Sequence, residues 1–151
     1  MDALAETVRS GDAPSLKKAL AQAENAGAGE DALTTGRSRL AALEEQASLA
    51  EALQKAVAAD DAAAIAETTA RTEKAGYGEN QIPGLGRAHE RLKLLNEEAQ
   101  QRSEAEAALA QSMKGKDVGA LENAIEKAVV VALSEELLAS ARDRLTALQK
   151  E

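Results

Sequence analysis

The chain has no cysteine, tryptophan or phenylalanine, and only one tyrosine, one histidine and two prolines in 151 residues. The missing cysteines exclude disulfides, thiolate metal sites and cysteine nucleophiles. A single histidine leaves no histidine metal cage and no paired-histidine acid/base site. The residues that strands prefer, β-branched and aromatic, are scarce, which argues against a sheet. The longest apolar run, Ala128 to Leu133, falls far short of the roughly 18 residues of a membrane helix. The opening MDALAETVRSGD is acidic and lacks the basic-then-apolar layout of a signal peptide. With a removed transit peptide left open, the compartment reads as cytoplasm or organelle interior. Positive charge is the minority sign. The net charge of −8 argues against a nucleic-acid partner, which needs a dominant basic footprint.

Alanine dominates what is present, with 36 copies against 28 leucine, isoleucine and valine residues together. Alanine is the best helix former, and Glu, Lys, Gln, Arg and Leu follow closely. A polar, alanine-rich acidic chain also fits disorder, but here the leucines are periodic. Anchored on Asp12, Asp61 and Asp117, the residues eight before are Leu4, Leu53 and Leu109, and those four before are Val8, Val57 and Met113. Four after come Leu16, Ile65 and Leu121; eight after come Leu20, Thr69 and Ile125. Further on stand Ala26-Gly27, Ala75-Gly76 and Val131-Ala132, then Glu30-Asp31, Glu79-Asn80 and Glu135-Glu136. Each copy closes with a similar phrase: Arg37-Ser38-Arg39-Leu40, His89-Glu90-Arg91-Leu92 and Arg142-Asp143-Arg144-Leu145. The anchors lie 49 and 56 residues apart, in the range of helical repeat arrays. The chain therefore reads as one array of three copies, 1–48, 49–103 and 104–151.

Spacings of four and eight are the helical period. Each copy should hold a short helix, a break, and a second helix opened by its aspartate, a strong N-cap. The breaks fall at Ser10-Gly11-Asp12, Ala59-Asp60-Asp61 and Lys114-Gly115-Lys116-Asp117. Pro14 suits a first helical turn. Gly27 and Gly76 suit a left-handed helix end; copy three has Ala132, so its corner should differ. A third helix follows, starting near Asp31 or Ser134, and in copy two after an insertion of about three residues around Ile82-Pro83. Residues 31–58 and 85–113 favour continuous helices, although Ser48-x-x-Glu51 and Ser103-x-x-Glu106 read as capping boxes that would permit a break. The fold class expected is all-α: three tandem alanine-rich repeats of antiparallel helices, as an α-solenoid or elongated bundle.

The segments Val8-Arg9-Ser10-Gly11-Asp12 and Leu16 to Ala23 resemble the middle of a tetratricopeptide repeat, where a short helix, a Gly-Asp turn and an alanine-punctuated second helix follow one another. Lys114-Gly115-Lys116-Asp117 to Ala128 is similar. The likeness covers about 20 residues per copy. The family's aromatic positions and usual proline are absent, and the period is longer by a whole helix. The resemblance implies an interaction scaffold of the α-solenoid kind and carries over no ligand-binding residue.

Arg37 and Arg39, His89 and Arg91, and Arg142 and Arg144 hold matching places. They form either a basic stripe for an acidic partner or stems laid over leucines and paired with neighbouring glutamates. In so acidic a chain the second reading takes precedence. His89 stands where the other copies have arginine, which points to the surface. Gly27-x-Gly29, Gly76-x-Gly78 and Gly84-x-Gly86 lack the context of a phosphate loop. Glu44-Glu45, Glu97-Glu98 and Glu135-Glu136 point about 100° apart on a helix and do not converge. No catalytic, metal or cofactor residue emerges. Val129, Val130 and Val131, in the densest apolar run, form a buried corner or a docking patch. Tyr77, at the equivalent corner of copy two, is a second contact candidate.

The function expected is a non-enzymatic scaffold, linker or adaptor for protein partners. It could be a small structural subunit of a larger assembly, including the peripheral face of an organellar membrane complex. The alternative is an amphipathic lipid-surface binder, which would need bulkier apolar faces than alanine supplies.

Overall fold

A computed structural model describes residues 2–150, with side chains from Leu4 onward. The described residues form seven α-helices and no strand: α1 Asp2–Ser10, α2 Ala13–Asn25, α3 Glu30–Ala58, α4 Ala62–Lys74, α5 Leu85–Lys114, α6 Val118–Val130 and α7 Glu135–Leu148. They divide into two compact units, Met1–Glu90 and Arg91–Glu151, with α5 contributing to both.

The breaks have a common chemical cause. Asp12, Asp61 and Asp117 adopt extended backbone, and each accepts through Oδ1 the backbone N–H three residues on: Ser15 at 2.8 Å, Ala64 at 3.0 Å and Ala120 at 3.0 Å. Each carboxylate thereby satisfies one of the four N–H groups that a helix start leaves unpaired. Each opens a helix of thirteen residues, and Pro14 lies in the first turn of α2.

The three helices also end alike. Ala28 N–H donates to the Ala23 carbonyl and Gly27 N–H to that of Glu24, at 2.9 and 3.1 Å. Tyr77 and Gly76 do the same to Thr72 and Glu73, and Leu133 and Ala132 to Ala128 and Val129. This pair of bonds closes a helix around one residue in the left-handed region. That residue is Gly27 (φ +72°), Gly76 (φ +77°) or Ala132 (φ +52°). The corner of copy three, expected to differ, makes the same bonds. Alanine there costs about 1–2 kcal/mol of backbone strain; the two bonds and the packing of Leu133 on the C-terminal core offset it. The end of α3 repeats the pattern with Asp60 at φ +52°.

Helices α3 and α5 run unbroken through Ser48 and Ser103 for 29 and 30 residues. Residues 96–104 of α5 are exposed throughout. They carry i,i+4 support from Lys93–Glu97 (3.8 Å) and from Gln100 to Glu104 (2.8 Å).

In the N-terminal unit, Leu4, Leu16, Leu20 and Leu33 form a core joining α1, α2 and α3, flanked by Val8, Ala19, Ala23, Ala28, Leu40 and Leu43. In the C-terminal unit, Leu109, Leu121, Ala124, Ala128, Leu138, Ala141 and Leu148 join α5, α6 and α7, with Met113, Val118, Ile125, Leu133 and Leu145 packed on them. The residues before Arg37, His89 and Arg142 are Gly36, Ala88 and Ala141, all buried. At Gly36 a Cβ would stand 2.6 Å from Leu20 Cδ2, so any side chain there would displace the buried Leu20.

Copy two departs in two ways. Its α4 buries Thr68, Thr69 and Thr72 where the other copies carry mostly Ala, Leu or Ile. Thr69 Oγ1 donates to the Ile65 carbonyl at 2.9 Å, and Thr72 Oγ1 to that of Thr68 at 2.8 Å, so these hydroxyls bond within their own helix. The inserted segment is a loop, as its sequence suggests, and Ile82 within it is fully buried.

Candidate partner-contact surface

The arginine pairs divide by position. Arg37, His89 and Arg142 are exposed, whereas Arg39, Arg91 and Arg144 are half-buried. Arg37 on α3 reaches Glu24 on α2 at 2.7 Å and Glu30, seven residues back on its own helix, at 3.1 Å. The hydrogen bond to Glu24 is the main reason its guanidinium is held above the usual arginine range. His89 on α5 meets Glu73 on α4 at 3.1 Å. Glu24 and Glu73 both lie twelve residues after their anchor aspartates, so the same cross-helix pair recurs with histidine in place of arginine. Arg142 on α7 pairs with Glu135 at 2.9 Å, repeating Arg37–Glu30. The residue twelve after Asp117 is Val129, so copy three has no glutamate for the cross-helix half. Among the half-buried members, Arg144 Nη2 donates to the Gly115 carbonyl at 3.4 Å, tying α7 to the α5–α6 break. Arg91 approaches Glu98 at 3.9 Å.

Tyr77 is half-buried at the end of α4, and its hydroxyl donates to Glu45 Oε2 on α3 at 2.8 Å. This hydrogen bond, then partial desolvation and the negative charge of Glu45, hold the phenol above its ordinary range; Arg39 acts the other way. Tyr77 occupies the corner position of Ala28 and Leu133, so the lone aromatic staples its corner to α3.

The valine run splits. Val131 is half-buried, Val129 is 49% exposed and Val130 is 84% exposed. The equivalent pairs in the other copies are Glu24-Asn25 and Glu73-Lys74. Leu137, in the first turn of α7, adds a third exposed apolar side chain at 37%. A shallow groove of about 550 Å³ lies between α5 and α6, lined by Ala105, Ala108, Val130 and Val131 with Glu104, Glu126 and Lys127 beside them. In the N-terminal unit a larger groove of about 720 Å³ runs beside Leu4, Val8, Ala19, Ala23 and Ala28. Copy two has an equivalent of about 710 Å³ along Leu53, Val57 and Ala58, walled by Pro83, Gly84 and Arg87. The sequence alone did not disclose these grooves, because they arise from small side chains facing each other across helices.

Among the described residues, no three His, Asp or Glu side chains are grouped so as to hold a metal, and no helix is long and apolar enough to cross a membrane. Fold and surface together define an all-helical protein whose recurring polar feature is an arginine or histidine held against a glutamate. Comparisons with protein-family models, curated proteins and solved structures gave no match to this chain.

Proposed function

We propose that the chain is a non-enzymatic helical-repeat scaffold or adaptor built from three copies of one template, and that it holds protein partners on the surface of its helix corners. The observation that carries this reading is the exposure of Val129 and Val130 where the other two corners carry charged or amide residues. Exposed branched aliphatics side by side at a helix end are an apolar surface suited to a protein partner. The aspartate caps and matched helix ends support the three-copy template. Arg37, His89 and Arg142 sit against neighbouring carboxylates at the surface, which favours an interaction role over catalysis.

Affinity capture from cell extract with the full chain, followed by mass spectrometry, tests the reading. The expected result is a small set of proteins retained by the wild-type chain. Retention of none would overturn it.

A further inference from the structure

We infer that the α6–α7 corner docks a protein segment pairing an aliphatic side chain with a carboxylate, the carboxylate taking the place that Glu24 and Glu73 hold in the other two copies. This rests on the scaffold reading and names the chemistry of the partner.

The inference comes from comparing equivalent positions. In copy one, Arg37 holds two carboxylates: Glu30 from its own helix and Glu24 from the preceding one. In copy two the preceding helix again supplies the carboxylate, Glu73, to His89. In copy three, Arg142 keeps the carboxylate of its own helix, Glu135, and the preceding helix offers Val129. Helix α6 begins and ends with the same hydrogen bonds as α2, and Arg142 follows Asp117 by the same 25 residues that separate Arg37 from Asp12, so Val129 holds the sequence position toward Arg142 that Glu24 holds toward Arg37. Arg142 keeps about half of its side chain exposed, at 51%. A carboxylate arriving from outside finds a guanidinium with donors to spare, since its planar fork offers five. It also finds Val129, 49% exposed, as an apolar seat for the adjacent side chain.

Charge decides which side of α6 is used. The groove that Val130 lines also holds Glu104, Glu126 and Lys127, two acids to one base. The Arg142 side has Glu135 already committed to that arginine. A partner carboxylate is therefore directed toward α7 and Arg142.

The probe is a fluorescein-labelled helical peptide presenting Leu and Glu at alternating three- and four-residue spacing, titrated against the full chain by anisotropy. Its counterpart has Gln at every Glu. The Glu peptide is expected to bind about tenfold more tightly than the Gln peptide, the size of one charge-assisted hydrogen bond. Arg142→Gln should remove that preference while leaving weak binding to both peptides. Val129→Glu restores the intrachain pair of copies one and two, so it should abolish binding while the circular dichroism melt stays unchanged or rises. Three results would overturn the inference: no binding of the Glu peptide, equal binding of both peptides, or full binding by a folded Val129→Glu chain. Retention of the same cellular proteins by wild-type and Val129→Glu chains would also overturn it, while leaving the scaffold reading intact.

Discussion

The corner after α4 in the N-terminal unit and the corner after α6 in the C-terminal unit close with the same two backbone hydrogen bonds. One does it with Gly76 and the other with Ala132, at φ +77° and +52°. The residues around them differ in kind. The first corner is surrounded by Glu73, Lys74 and Tyr77, which bond to His89 and Glu45 where partners are present; the second is surrounded by Val129, Val130 and Leu133. The helix-end hydrogen bonds are the same in the two units, while the side chains differ, hydrogen-bonded polar groups at one corner and exposed aliphatics at the other. A helix end can therefore survive without glycine when its last hydrogen bonds are made and the following residue is packed, as Leu133 is.

The comparison breaks first at the shared core. Leu16 and Leu121, each four residues after an anchor aspartate, are both fully buried. Truncation to alanine should cost about 2–5 kcal/mol in each unit, read as a fall in the midpoint of urea denaturation followed by far-ultraviolet circular dichroism. A loss under about 1 kcal/mol at either site would mean that the two positions are not equivalent core positions.

The corners themselves give a sharper contrast of opposite sign. Gly76→Ala places a Cβ in the left-handed region and should destabilise by about 1 kcal/mol or more. Ala132→Gly relieves strain at the same backbone position, partly offset by unfolded-state entropy, and should stabilise by about 0.5–1 kcal/mol. Loss of stability from both substitutions would show that Ala132 is not strained.

Much of this was legible in the sequence. Asp12, Asp61 and Asp117 announce their caps because capping is local, a carboxylate reaching three residues ahead. Gly27 and Gly76 announce helix ends for the same reason. Continuity of α3 and α5 followed from the absence of Gly or Pro stops, against the competing capping boxes at Ser48 and Ser103. The rest depends on contacts between helices. Nothing in the local sequence of Ala132 marks a left-handed residue; the bonds from Leu133 and Ala132 back into α6 place it there. Ile82 lies in a loop as its sequence suggests, but its burial was not legible, because burial of an inserted residue depends on its neighbours in space. The missing glutamate at Val129 has meaning only once Glu24–Arg37 and Glu73–His89 are seen as cross-helix pairs.

Removing one cap tests the other end of the same helix. Asp117→Ala should cost about 1 kcal/mol, and Asp117→Ser should spare most of it. Equal losses for Ala and Ser would indicate that the side-chain bond to Ala120 is not what opens α6.

The smallest expected effect is optical. Tyr77 is the only tyrosine and there is no tryptophan, so phenolate absorbance reports this one group. Its bond to Glu45 raises its pKa in the folded state, so its ionisation midpoint should lie above the ordinary tyrosine value. The stability it contributes is complete below the unfolded value and is lost as pH rises through the folded one. Glu45→Gln should bring the midpoint down. An ordinary midpoint in the wild-type chain would remove the staple between this corner and α3.

Backbone assignment of the full chain by nuclear magnetic resonance tests the central claim most directly. The account predicts N-cap chemical shifts at Asp12, Asp61 and Asp117, each followed by thirteen helical residues, and positive φ at Gly27, Gly76 and Ala132. Helical shifts running without interruption through any of the three aspartates, or a right-handed Ala132, would contradict it.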